Sequence, residues 1–346
     1  MIIPPNTKLR LNPQDDYTHL PEPVSNYNES MYFNAFDSSA GVGAWMRIGN
    51  RPNEGHAEMT CCVYLPDGKV GFMYARQPIS DNKAMDAGVL RFDMIEPFKR
   101  MRVRYEGDLL LMANPLDMAN PSAAFKSNPK KPALIELDYE GVSPMHGGEI
   151  VTLDDQPIEL DPEHAVFRGH LEQYMAATGH ITVDGQRYAF SNGTGYRDKS
   201  WGPRYWHNFY WYRWVPVTFG PDFGVLLSIM GREGDEPYIM GNVLRDGTLT
   251  PVRNVKMTTD WDESFHHRGF TVTFDAGERS YQVDGKVRSL VPLRHKAQPG
   301  GDQTTYTRIT EALTEYRCEG RTVLAMSEFC DLVTNGIPIS HQLGYG

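Results

Sequence analysis

From Met31 onward the apolar and polar positions alternate with a period of two, and no stretch shows the 3.6-residue recurrence of a long helix with a capping signal. Met59, Cys61, Val63 and Leu65 interleave with Glu58, Thr60, Cys62 and Tyr64; Pro66-Asp67-Gly68 makes a turn, and Val70, Phe72 and Tyr74 resume the alternation. That is a hairpin signature. Residues 89–95, 101–105, 109–112 and 133–139 read as further strands, separated by a Pro- and Asn-rich loop at 113–132 long enough to suggest a binding or lid role. His170, Glu172, Tyr174 and Ala176 fall on one face of a strand that ends at an Asp184-Gly185 turn.

The second half repeats the style. Residues 223–230 form an apolar strand, and 238–244 and 249–252 flank Asp246-Gly247. Residues 270–274 and 279–283 flank Asp275-Ala276-Gly277, with Asp284-Gly285 expected to end the second of these strands. A long run at 305–318 meets 323–330 across Glu319-Gly320. Residues 1–30, rich in Pro, Asn and Asp, read as an irregular arm. Many short strands with Gly turns indicate an all-β sandwich or barrel. At 346 residues the chain has room for two domains, expected at 1–184 and 185–346.

One stretch breaks the even texture. Residues 193–214, GTGYRDKSWGPRYWHNFYWYRW, hold four of the six tryptophans around a short charged run. Each such ring buries roughly 150 to 250 Å², so the segment is interior wall. On a strand, Tyr196, Asp198 and Ser200 share one face, and Arg197, Lys199 and Trp201 the other. Beyond it, Trp206, Asn208, Tyr210, Tyr212 and Trp214 share a face opposite His207, Phe209, Trp211 and Arg213, which predicts a strand covered on both sides. A carboxyl beside phenol and indole rings in a dry pocket has its pKa raised by desolvation. Such an acid can protonate an electron-rich alkene while ring faces stabilise the cation. The competing reading has Asp198 pairing with Arg197, Lys199 or Arg204 to tie a turn, with the aromatics as plain core.

Charge and composition narrow the partners. There are 34 Lys+Arg against 44 Asp+Glu, a net charge of −10, with the basic residues scattered, which excludes a nucleic-acid footprint. No Gly-x-Ser-x-Gly elbow, phosphate loop or His-Glu-x-x-His pair is present, and GVGAWMRIG at Gly41 has the wrong spacing for a dinucleotide fingerprint, so no cofactor is expected. Among the histidines, His164, His170, His266 and His267 come nearest to a cluster. His266 and His267 cannot share a strand face, and no metal site is expected. Four cysteines make no disulfide framework and read as reduced thiols of a cytoplasmic protein. The N-terminus lacks an apolar signal region, and no stretch approaches the 18 or so apolar residues of a membrane span.

The stretch GTGYRDKSWGPRYW resembles the G-x-G-x-R-D-H-S-W-G-x-R signature of the superfamily of carotenoid 1,2-hydratases (hydroxyneurosporene synthases), AttH-like proteins, kievitone hydratases and decalin-forming Diels–Alderases. MYFNAFD at Met31, HLEQ at His170 and SEFCDLVTNG at Ser327 support the likeness, which is strongest to a bacterial branch. The resemblance implies two lipocalin-like β-barrel domains packed together, with a hydrophobic pocket. It implies that Tyr196 and Asp198 carry acid catalysis, and it departs at Lys199, where the family has His. On this basis Asp198 is the expected general acid, Tyr196 its partner, and Trp201, Trp206, Tyr210, Tyr212 and Glu172 the expected pocket. The expected substrate is a hydrophobic small molecule of isoprenoid or polyketide type. The expected reaction is hydration or isomerisation of a carbon–carbon double bond. A cyclase or pericyclase cavity and a non-catalytic carrier of apolar ligands are the alternatives.

Overall fold

A computed structural model describes residues 5–160, 167–204, 210–231, 236–296 and 305–344. Contacts divide the chain into two compact units. The first comprises Met1–Val63, Gly71–Leu111 and Lys130–Asn208, and the second Tyr64–Val70, Met112–Pro129 and Phe209–Gly346.

The first sheet has twelve strands. They are β1 (Thr7–Arg10), β2 (Tyr27–Asp37), β3 (Val42–Arg51), β4 (His56–Tyr64), β5 (Val70–Pro78), β6 (Met85–Asp86), β7 (Leu90–Glu96), β8 (Arg100–Met112), β9 (Lys130–Gly141), β10 (His146–Thr152), β11 (Gly169–Val183) and β12 (Gln186–Pro203). Following β11-β12-β2-β3-β4-β5-β8-β9 and back to β11 closes an eight-stranded antiparallel barrel. Closure leaves these strands without an open edge. The lumen is identified by rings that meet across it: Phe33 of β2 lies 4.9 Å from Phe92 and 5.0 Å from Tyr139 of β9, although β2 and β9 are not neighbours in the sheet. Every residue of β2 is buried, so this part of the wall is covered on both faces.

The second sheet has nine strands. They are β13 (Trp211–Gly220), β14 (Phe223–Gly231), β15 (Tyr238–Arg245), β16 (Thr248–Trp261), β17 (His267–Ala276), β18 (Arg279–Lys296), β19 (Thr305–Cys318), β20 (Arg321–Thr334) and β21 (Ile337–Pro338). They run in chain order, and pairing of β13 with β20 joins the first strand to the eighth. The Arg213–Asp331 ion pair, at 3.0 Å, is buried here.

The all-β reading and its turns hold for particular reasons. Asp184-Gly185, Asp246-Gly247 and Glu319-Gly320 each take positive φ at both residues, the geometry of a tight two-residue hairpin. Residues 101–105 and 109–112 prove to be parts of one long strand, β8. Asp284-Gly285 does not end its strand: β18 runs straight through it. The glycine is there for packing, since a Cβ at 285 would stand 2.5 Å from the Phe270 ring. The loop at 113–132 contains a 3-10 turn, Pro115–Ala119, and the helix α1 (Pro121–Ser127). Asn114 and Asn120 cap them, each followed by a proline whose missing N–H is no loss at a helix start. All four cysteines are free and buried. No described helix is long and apolar enough to cross a membrane.

Candidate functional site

β12 carries the central motif between β11 and β2, and the period of two divides its side chains. Arg197 enters the barrel lumen, where it donates to Asp16 at 2.5 and 3.0 Å and to the Gln173 Oε1 at 2.8 and 3.0 Å. Lys199 points the same way. Its Nζ donates to Glu29 Oε1 at 2.7 Å and to the carbonyls of Asp15 and Tyr17 at 2.7 and 3.0 Å. Trp201, also on this side, stacks on His19 at 4.3 Å with the Lys199 ammonium 4.7 Å from its ring centre. Burial pushes the Glu29 carboxyl up, but the charge of Lys199 and the bond from His19 outweigh it and bring it down to about 2. The two cations next to Asp198 in sequence are therefore spent on Asp16 and Glu29. Arg204 donates to the Ser200 hydroxyl at 2.5 Å.

Asp198 faces the other side of the wall, and the register assembles its neighbours from five strands. One row reads His146 (β10), Glu172 (β11), Asp198 (β12), Tyr32 (β2), Arg47 (β3). The next reads Tyr174, Tyr196, Asn34, Trp45, and His170 stands beside Ser200 in the row on the other flank. The Asp198 carboxylate forms a short hydrogen bond with His170 Nε2. Glu172, 5% exposed, lies 3.7 Å from His146 Nε2 and 4.0 Å from His170 Nδ1. The Tyr196 hydroxyl meets His146 Nε2 at 3.2 Å, and its ring sits edge-on to Tyr174 at 5.0 Å.

Burial works to lower the pKa of His170, but the charges of Asp198 and Glu172 and the bond to Asp198 outweigh it, so the imidazole holds its proton above its ordinary value. The Tyr196 phenol is pushed well up, by burial first and then by the charge of Glu172, and remains a hydrogen-bond donor. His170, Glu172 and Asp198 also bring one ring nitrogen and two carboxylate oxygens within 4.8 Å of one another, a donor set of the kind that suits zinc or iron. As found, His170 and Asp198 are hydrogen-bonded to each other.

The structure thus brings Asp198, Tyr196 and Glu172 to one face and sends Trp201 to the other. Tyr210 and Tyr212 belong to the second unit, Tyr210 just ahead of β13 and Tyr212 on it with its hydroxyl on Glu328. Trp206, with the rest of 205–209, lies outside the described residues, as does His164. Sequence reasoning missed His146, Tyr32, Trp45 and Arg47 as members of this face, and His170 as the partner of Asp198. The alternation in MYFNAFD would have placed Tyr32 on one face with Asn34, and His170 sits two residues from Glu172. The joining of these strands to β12 was not visible.

Glycines of the motif are explained by backbone contact. A Cβ on Gly195 would come within 2.2 Å of the Asn34 carbonyl oxygen, and Gly202, at φ 109°, lies against the Arg168 backbone.

Among solved structures, the fold is similar to a candidate AttH from Nitrosomonas europaea, with TM-score 0.56 and 10% identity over 97% of this chain and 99% of that one. It is similar to CghA, with TM-score 0.51 and 11% identity over 95% and 97%. Kievitone hydratase from Nectria haematococca gives TM-score 0.50 and 9% identity over 90% of each chain. No curated protein matches the sequence. The family model for the domain of unknown function DUF7064 matches residues 12–333, nearly the whole of the described fold, and the chain belongs to that family.

Proposed function

We propose that this chain is an enzyme that protonates a carbon–carbon double bond of an apolar molecule, adding water across it or isomerising it, with the His170–Asp198 pair as the acid. The observation that carries this reading is the hydrogen bond between His170 and Asp198 on a wall strand whose inner neighbour is buried on both faces. The proton passes from the pair to one alkene carbon, leaving a cation at the other. Water adds there and returns a proton to the pair, or a neighbouring C–H loses its proton and the double bond has moved. The Glu172 carboxyl and the faces of Tyr32, Tyr174 and Trp45 are placed to stabilise the positive charge. Tyr196, buried and with its hydroxyl on His146, flanks the site as a neutral phenol. The reading requires no cofactor. The name of kievitone hydratase, a protein of similar fold, supports hydration, and the aromatic rings on this face, Tyr32, Trp45 and Tyr174, support a substrate with an unsaturated apolar part.

The test uses the apolar compound that extracts into organic solvent from freshly purified protein, incubated in water enriched in oxygen-18 with wild type and with Asp198→Asn. Wild type is expected to give labelled alcohol or shifted alkene, and the variant a rate lower by about 10²- to 10⁴-fold, the usual contribution of a positioned acid. Recovery of the compound unchanged from wild type overturns the reading and favours a carrier. Equal rates with both proteins remove Asp198 from the chemistry and favour a cavity that folds a polyene without an acid.

A further inference from the structure

The second unit contains a cavity of about 330 Å³ that the preceding reading does not use, and two arginines line it. Arg294 on β18 and Arg308 on β19 are register partners, so their side chains leave the sheet side by side on one face. Like charges placed directly opposite weaken a ladder. Neither arginine forms an ion pair among the described residues. The other register partner of Arg308, Asp331 on β20, has its two oxygens engaged by Arg213 and Ser340. Arg308, 7% exposed, donates to the carbonyls of Ser264 and Phe265 at 2.9 and 2.6 Å, which uses two of the five N–H groups of a guanidinium. Arg294 is exposed and makes no hydrogen bond to a described residue; its guanidinium lies over the Tyr306 ring, 3.9 Å from the centre.

The rest of the lining says what kind of anion fits. Phe265, Pro292, Leu293 and the Tyr306 ring give the cavity apolar walls, and its volume is at the lower end of the roughly 300 to 1,000 Å³ of small-molecule pockets. Glu263 also lines it. His266 adds no charge at neutral pH, because burial and then the charge of Arg308 lower its pKa below 6.5. Two guanidinium groups against one carboxylate leave the described lining with a single positive charge, which a monoanion balances and a dianion exceeds. A carboxylate matches the planar fork of a guanidinium, and an apolar body attached to it would meet the ring and aliphatic walls.

We propose that this cavity binds the carboxylate of a small apolar organic acid between Arg294 and Arg308, with the body of the acid against Phe265, Leu293 and Tyr306. This site is separate from the His170–Asp198 pair and stands whether or not that pair is catalytic. The probe is 4-fluorobenzoate, titrated into the full chain at pH 7 and followed by its fluorine resonance, with 4-fluorobenzamide as its uncharged counterpart. Binding should saturate, shift the ring-proton resonance of His266, and be about tenfold weaker both for the amide and for the acid in Arg294→Gln. Tenfold is the low end for a hydrogen bond to a charged group, because Arg294 is exposed. Arg294 holds no other part of the chain by a hydrogen bond, and circular dichroism checks that the variant folds; if it does not, the acid-against-amide comparison in wild type decides. No saturable binding, equal affinity for acid and amide, equal affinity in wild type and a folded Arg294→Gln, or an unmoved His266 resonance each overturns the proposal. Displacement of the probe by inorganic phosphate at a lower concentration than by unlabelled benzoate overturns the assignment to a carboxylate.

Discussion

Replacing Lys199 by methionine isolates what the buried cation of the motif does. Methionine keeps the unbranched stem and removes the charge with its three donated bonds, to Glu29, Asp15 and Tyr17. Neither Lys199 nor Glu29 has any side-chain exposure, so no water replaces the lost partner. With Lys199 present the Glu29 pKa stands at about 2 against an ordinary 4.5, which corresponds to about 3 kcal/mol at roughly 1.4 kcal/mol per pH unit. Breaking one partner of a buried ion pair costs about 3–5 kcal/mol. The two routes agree on a loss of about 3 kcal/mol at pH 7. The sign with pH follows from the depressed pKa. The contribution is present above pH 4.5 and lost as pH falls toward 2, so wild type and variant should converge in acid. Urea unfolding at pH 7 and at stepped lower pH, followed by tryptophan fluorescence, measures the difference. Limited proteolysis reports separately on residues 13–19, where Lys199 holds the carbonyls of Asp15 and Tyr17. A loss under about 1 kcal/mol at pH 7, or a gap that widens in acid, refutes the reasoning. The double variant Glu29→Gln/Lys199→Met should recover most of the loss, because the uncompensated charge is gone. Since Lys199 faces the lumen, its standing where the resembled signature has His is expected to register in stability and not on the Asp198 face.

Two further outcomes follow from the geometry. The His170 titration, read from its ring proton by NMR, should have a midpoint above 6.5 that falls in Asp198→Asn; its stabilising contribution is full below 6.5 and is lost as pH rises through the folded midpoint, and a wild-type midpoint below 6.5 contradicts the pair. Gly195→Ala places a methyl 2.2 Å from the Asn34 carbonyl oxygen and must force β12 from β2, lowering stability by about 1–3 kcal/mol in thermal melts; an unchanged Tm would show that the ladder adjusts freely.

Period-two alternation was enough to identify most strands, and Asp-Gly and Glu-Gly pairs enough to place their hairpins, because both signals are local: one reports which face a side chain takes, the other a backbone that needs positive φ. Where local signals had two meanings the reading slipped. Asp284-Gly285 has the composition of a turn, yet Gly285 makes room for the Phe270 ring from the neighbouring strand. The Pro- and Asn-rich segment at 113–132 has the composition of a loop, yet the same residues cap and start short helices.

The split of the motif, with Tyr196 and Asp198 on one face and Arg197 and Lys199 on the other, was determined by the sequence, because pleating leaves no choice once the segment is a strand. Which charges meet was decided by the tertiary structure. Asp16 and Glu29 are far from Arg197 and Lys199 in sequence and reach them only through barrel closure. His170 comes to Asp198 because β11 and β12 form a hairpin whose register places Glu172 opposite Asp198 and His170 beside it. His146, Tyr32 and Arg47 join the same row from three other strands. Side-chain direction is a property of the strand, whereas cross-strand partnership depends on register, which turns and closure set over the whole sheet.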